Sequence, residues 1–449
     1  MSSNQGRESD SGRTSSRRVG RRRFLAGVGA SAAATSLSGC IGGLGGGGGG
    51  GGVKIGGVFL LSGLAEALGS ASQAGAELGV SAVNEAGGIN DEDVEIVFRD
   101  HNNGDAVSQI RSLVQEEQVD ALIGLTSSGV TLSSAQAIRE LGVPMTLTDI
   151  GTPWITEHDT ETYGDFFNSD DGTAAGIPNL FRTNANTTTN TYAIAKYAVD
   201  NVGSGRIANI GPNYAYGEQT WDYFKAFADA LGGDFEYVRS VFPELGASDM
   251  TPQINRVLSA DPDLVFTSFW AGDAVTFVQQ AVSQGLFEQV DDVFDTLGAD
   301  PTVFSALGDT MPEGYHYSSW YWHSAYDNQA NTDYVQAFKD ANNGSIPSFT
   351  GPSTYSAIWL YKNAIENAGS TEPDAIISEM EGMEYEGPRG TWRIDPDSHQ
   401  ATAPTIIGET STNDDVPYEG VGLDPVESVS LEKSRAQELL ADSGLPPGL

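Results

Sequence analysis

Hydrophobic and polar positions along this 449-residue chain fall into two successive series in which short β-rich runs alternate with helical periodicities. Residues 53–61 read as a strand; after the Ser62-Gly63 turn, Ala71, Ala74, Leu78 and Ala82 recur on one face of a helix closed by Gly87-Gly88. Strands are expected over residues 94–98, 119–124 and 143–148, the last opened by Pro144 near its start, where a missing N–H is tolerated. Ala106, Ile110, Leu113 and Val114 mark one intervening helix and residues 135–141 another. The acidic stretch 157–176 breaks the rhythm and reads as a surface insertion. In the second series the expected strands are 206–210, 235–242 and 264–269. Its helices carry Thr191, Ile194, Ala198 and Val202; then Trp221, Phe224, Phe227 and Leu231; then Val275, Val278 and Val282. A later helix with Ile358, Tyr361, Ile365 and Ala368 is placed to pack back on the first half. Alternation of this kind predicts an α/β fold with parallel sheets in two lobes and a cleft between them.

Residues 1–40 follow another pattern. A basic start leads to Arg21-Arg22-Arg23-Phe24-Leu25, a mild apolar stretch from Ala26 to Ser36, and then Leu37-Ser38-Gly39-Cys40. Paired arginines before a weakly hydrophobic segment are the twin-arginine export signature. The last four residues look like a lipobox, which would make Cys40 the lipid-modified first residue of the mature chain. Cys40 is the single cysteine, so no intrachain disulfide can form. Residues 41–52, almost all glycine, read as a flexible tether. Beyond this point no run reaches the roughly 18 apolar residues of a membrane span. The expected location is the extracellular face of the cell membrane, held by the lipid.

Charge narrows the partners. The chain has 61 acidic and 23 basic side chains; seven of the arginines but only Glu8 and Asp10 of the acids lie in residues 1–40, leaving the remainder at net −43. Nucleic acid is excluded as a partner, because it calls for a basic footprint. Acids spread along the whole sequence point to a surface adapted to very high salt, where repulsion is screened, and so to a halophilic source.

Four segments carry a resemblance. Val53-Lys54-Ile55-Gly56 with Leu61-Ser62-Gly63, Asn84 to Asn90, Ile123-Gly124-Leu125-Thr126-Ser127-Ser128-Gly129 and Tyr214-Ala215-Tyr216-Gly217 occur in the order found in one family. They resemble the type I periplasmic-binding proteins of the branched-chain amino acid, amide and urea importers. The resemblance implies two Rossmann-like lobes joined by three hinge crossings, residues 53–181 with 318–393 in lobe one and 182–317 with 394–449 in lobe two. The last forty residues run past the family's usual end. It also implies a monomer that takes a small polar ligand (an amino acid, amide or urea) and hands it to permease subunits served by a separate ATPase.

Ligands of parallel sheets sit beyond the carboxyl ends of the strands. Ser127, Ser128 and Gly129 combine hydroxyls with a helix start that favours a carboxylate, although the same hydroxyls would serve as a plain helix cap. Gly151 and Thr152 follow the next strand, and Tyr216, Phe269 and Trp270 lie at second-lobe strand ends where the family places aromatics. Amino-acid binders of the family commonly carry an acid in the loop matched here by residues 294–301. Gly298 occupies that position, leaving Asp295 or Asp300 as substitutes and keeping urea or an amide open, since a neutral ligand needs no counter-charge. A ligand sensor of the same fold is a further alternative. An enzyme is not expected: the serine-rich loop is not a Gly-x-Ser-x-Gly elbow, and no phosphate-binding Gly-x-x-x-x-Gly-Lys loop occurs. His316 and His323 lack ligand spacing, so neither a metal nor a cofactor is expected. Asn186 and Asn343 begin glycosylation sequons, the former close to an expected hinge.

Overall fold

A computed structural model describes residues 52–102, 106–159, 162, 177–413 and 415–449. The twin-arginine segment, Cys40 and the tether up to residue 51 lie outside these residues, as does most of the expected insertion at 157–176.

The first series folds into a five-stranded sheet of β1 (Lys54–Phe59), β2 (Glu95–Asp100), β3 (Ala121–Thr126), β4 (Met145–Asp149) and β5 (Leu180–Arg182). Its order is β2-β1-β3-β4-β5 and every pair is parallel. Both faces of the inner strands are covered, so β1 and β3 are buried along nearly their whole length, whereas β2 at the sheet edge carries Glu95, Arg99 and Asp100 and is only partly buried. Along β1, Ile55 and Phe59 belong to the core on one side and Val58 to the core on the other. The helices are α1 (Glu66–Glu85), α2 (Ala106–Gln115) and α3 (Ser128–Leu141).

α1 does not bury the expected alanine face. Its buried residues are Leu68, Gly69, Ser72, Gly75, Ala76, Gly79 and Val83. The cause is the approach of a later helix: a Cβ on Gly75 would stand 2.4 Å from the carbonyl oxygen of Gly351.

The second sheet combines β6 (Ser204–Ile210), β7 (Asp234–Val241), β8 (Leu264–Thr267), β9 (Asp292–Thr296), β10 (His316–Ser319), β13 (Thr405–Ser411) and β14 (Gly422–Val429). The order is β14-β13-β10-β9-β8-β6-β7, with β13 and β14 antiparallel additions to a parallel sheet. The small hairpin β11 (Glu384–Gly387) and β12 (Gly390–Arg393) stands apart from both sheets. Around the second sheet lie α4 (Thr187–Asn201), α5 (Ala215–Ala230), α6 (Thr251–Leu258), α7 (Ala271–Ser283) and α8 (Pro301–Leu307). α9 (Gln329–Ala341), α10 (Gly351–Ala368) and α11 (Pro373–Met380) follow. α10 returns to the first lobe, where the Tyr361 hydroxyl donates to the Leu122 carbonyl at 2.8 Å and accepts from Thr146 at 2.9 Å. Residues 394–403, assigned by sequence to the second lobe, supply Ile394, Ala401 and Ala403 to the first lobe's core.

The segment after β13 is integrated rather than trailing. β14 extends the sheet, and α12 (Lys433–Leu440) packs Leu439 and Leu440 into the core that holds Phe227 of α5. Among the described residues no helix is long and apolar enough to cross a membrane.

Candidate functional site

The loops leaving the carboxyl ends of both sheets converge on a cavity of about 270 Å3, part of it open to solvent. The first lobe contributes Leu68, Thr126, Ser127, Ser128, Asp149 and Gly151; the second contributes Tyr214, Tyr216, Trp270 and Leu297, and Trp320 follows β10, whose Ser318 and Ser319 lie in the second sheet and not, as expected from the sequence, in lobe one. Toward solvent the cleft widens between Leu64 and Leu245, which are 43% and 41% exposed, with Ser127 and Trp270 shared by both spaces.

Backbone geometry around the cavity is unusual for the residue types present. Leu125, Ser127, Ala271 and Leu297 have φ of 58°, 87°, 47° and 79°, although none is a glycine or asparagine. Each such residue costs on the order of 1–3 kcal/mol and persists only where surrounding contacts over-determine it. Ser127 turns the chain from β3 into α3, whose first-turn amides lack partners inside the helix. Ser128 is buried, and its hydroxyl accepts from the Thr152 amide at 3.1 Å, joining the loops after β3 and β4.

The lobes touch through small residues. A Cβ on Gly151 would stand 2.7 Å from the Tyr216 ring and 2.9 Å from the Thr187 hydroxyl, so glycine is what lets the aromatic from the other lobe approach. Tyr216 is fixed by its hydroxyl at 3.0 Å from Thr296 Oγ1, and Trp270 donates from Nε1 to the Tyr214 hydroxyl at 2.9 Å. Behind the β4 loop, fully buried Arg182 donates to the carbonyl oxygens of Ile150 and Thr152 at 3.0 and 2.7 Å and to Gln400 Oε1 at 2.6 Å. Burial lowers its pKa to about 9. The guanidinium thus holds the loop that presents Gly151 from two hinge crossings at once.

Asp149, the last residue of β4, is 5% exposed, and its Oδ2 has no hydrogen-bond partner among the described residues. Burial raises its pKa well above the usual carboxylate range; the neighbouring Thr126 hydroxyl opposes this and the charge of Asp300 adds to it.

The structure gathers Ser127, Ser128, Gly151, Tyr216 and Trp270 at the cavity. Gly129 opens the helix beside them, where a Cβ would lie 4.0 Å from the Tyr214 ring. Thr152 sits behind the wall, buried and engaged through its backbone. Three expected residues are placed elsewhere. Phe269 is buried in the second-lobe core, its ring 5.0 Å from Phe277, because the turn of the chain after β8 sends it away from the cleft. Asp295 accepts from the Tyr315 hydroxyl at 3.1 Å and the Gly298 amide at 3.3 Å, inside the sheet. Asp300 caps α8, accepting from Thr302 at 2.8 Å and from Ser348. Gly298 itself has no room for a side chain, since a Cβ there would stand 2.8 Å from Tyr317. Sequence reasoning missed Leu68, Thr126, Asp149, Tyr214, Leu297 and Trp320. Thr126, Tyr214 and Leu297 lie within segments already singled out and Asp149 stands two residues before Gly151, whereas Trp320 required recognition of β10.

A family model described as a periplasmic binding protein matches residues 52–415. The chain therefore belongs to the periplasmic binding protein family, and its fold is that family's two-lobed type I arrangement. Among curated proteins it is 28% identical over 328 residues to Leu/Ile/Val-binding protein homolog 3 of Brucella melitensis, covering 73% of this chain and 82% of that one. Among solved structures it resembles a leucine binding protein of Thermotoga maritima, with TM-score 0.70, 22% identity, and coverage of 84% and 98%. It also resembles a solute binding protein of an ABC transporter from R. palustris in complex with 4-hydroxybenzoate, with TM-score 0.72, 21% identity, and coverage of 84% and 96%. These relatives are binding proteins, not enzymes.

Proposed function

We propose that the protein is the substrate-binding component of an ABC importer and captures a branched-chain or related amino acid between its lobes. The observation that carries this reading is the composition of the cavity: the amino-terminal turn of α3 faces an apolar and aromatic wall of Leu68, Leu297, Trp270 and Trp320. A helix start suits a carboxylate, and the wall suits an apolar side chain. The names of the Leu/Ile/Val-binding relatives point the same way. Ligand bridging the lobes would stabilise the closed form by its differential affinity, and permease subunits with a separate ATPase would read that form. We further propose export by the twin-arginine route, anchoring through a lipid on Cys40, and a monomeric protein working outside a cell in high salt.

The aromatic wall also favours a second reading, an aromatic carboxylate such as the 4-hydroxybenzoate bound by the R. palustris neighbour. Thermal melting in molar salt against leucine, isoleucine, valine, glutamate, urea, short amides and 4-hydroxybenzoate separates the readings. A ligand at 100 times its Kd adds about 2.7 kcal/mol of stability. A shift with the apolar amino acids supports the first reading; a shift with urea, an amide or the benzoate alone replaces it.

A further inference from the structure

Resting on the reading that the interlobe cavity is the ligand site, we infer that Asp149 is its charge-selecting residue. Its carboxylate pairs with an ammonium group on the ligand, so the protein takes amine-bearing ligands and rejects carboxylates that lack an amine.

Among the described residues that line the cavity, Asp149 is the one with a carboxyl group, and no lysine, arginine or histidine borders it. Arg182 is spent on the carbonyl oxygens of Ile150 and Thr152 behind the wall. Asp149 is nineteen-twentieths buried, and its Oδ2 is an acceptor without a hydrogen bond among the described residues, the Thr126 hydroxyl being the one neighbouring group that favours the ionised carboxyl. Leaving such a group unpaired is costly, and a cation or strong donor from outside removes the cost. The rings that line the cavity belong to Tyr214, Tyr216, Trp270 and Trp320, and ring faces attract a cation and not an anion. A ligand carboxylate has a place at the start of α3, but a second anionic group near Asp149 would meet repulsion. The two acids expected from sequence cannot take this part, because Asp295 and Asp300 are already satisfied by Tyr315, Gly298, Thr302 and Ser348. The counter-charge therefore comes from the first lobe, at the end of β4, and not from the second.

The test is titration calorimetry of the protein with matched pairs: leucine against 4-methylpentanoate, and phenylalanine against 3-phenylpropanoate, with 4-hydroxybenzoate added. Wild type is expected to bind at least one amino acid and to bind its amine-free partner at least 100-fold more weakly. Asp149→Asn is expected to fold, to lose 30-fold or more in affinity for the amino acid, and to leave the amine-free acid unchanged or tighter. Tighter binding of an amine-free acid by wild type, unchanged amino-acid affinity in Asp149→Asn, or no binding of either amino acid overturns the assignment. Gly151→Ala separates this from the cavity reading: if it abolishes whichever binding is found, the cavity is the site even where the charge assignment fails.

Discussion

Asn186 donates from its side-chain amide to the carbonyl oxygen of Gly448 across 2.9 Å, and Thr156 donates to the same oxygen at 2.9 Å. Thr156 follows β4 in the first lobe, whereas Asn186 caps α4 of the second. Residues 446–449 thus form a strap across the hinge, reinforced by Thr188 donating to the Pro447 carbonyl at 2.8 Å and by the Gly448 amide donating to Glu157 at 2.9 Å.

Gly448 has φ of 58°, and a Cβ there would stand 2.3 Å from the Pro153 carbonyl oxygen. Gly448→Ala is therefore expected to destabilise by about 1–3 kcal/mol, the range of backbone strain, visible as a lower melting temperature. An unchanged melting curve would show that the strap is not held. Because the Asn186 amide is buried and engaged, the peptide containing it is expected to carry no glycan by mass spectrometry.

At the cleft, Gly151→Ala drives a methyl group into the Tyr216 ring. Ligand affinity is expected to fall at least tenfold, about 1.4 kcal/mol, while the melting temperature of the empty protein changes little. Equal losses in both measurements would mean that the contact serves folding alone.

Ser128→Ala removes the acceptor for the buried Thr152 amide. An unsatisfied buried donor costs about 1–3 kcal/mol, so the variant should unfold at lower denaturant concentration. Ser128→Thr, which keeps the hydroxyl, should recover much of the loss.

Burial lowers the pKa of His101, His158 and His323 to about 4. Each folded-state value lies below the unfolded value near 6.5, so the unfolded chain binds more protons between them and stability rises with pH. The stability these neutral rings provide is complete above about pH 6.5 and declines as pH falls toward 4, by up to roughly 1.4 kcal/mol per pH unit for each ring. Urea unfolding between pH 7 and 4.5 should show this slope, and His101→Asn should flatten it. A pH-independent midpoint would count against neutral, buried rings.

With net charge −38 for the whole chain, self-repulsion is large in dilute buffer. Raising ionic strength from about 0.1 M to 1 M shortens the Debye length from about 10 to 3 Å. The melting temperature is expected to rise across that range, and a flat response would remove the case for adaptation to salt.

The sequence by itself determined the alternation of strands and helices, because burial on both sides of a parallel sheet leaves near-continuous apolar runs such as those of β1, β3 and β8. It also marked the strand ends where ligand-facing loops leave the sheets, and so reached Ser127, Ser128, Gly151, Tyr216 and Trp270. Tertiary structure decided the rest. The apolar period of α1 suggested the alanine face, yet a glycine-rich face is buried, since the closeness of α10 rewards absent side chains and no hydrophobicity pattern records that. Phe269 and Trp270 are adjacent in sequence, and only the turn of the chain after β8 sends one into the core and the other into the cleft. Asp149, Asp295 and Asp300 are alike as letters. Which of them keeps an oxygen without a hydrogen bond depends on Tyr315, Thr302 and Ser348, donors that folding brings to Asp295 and Asp300 and not to Asp149 Oδ2.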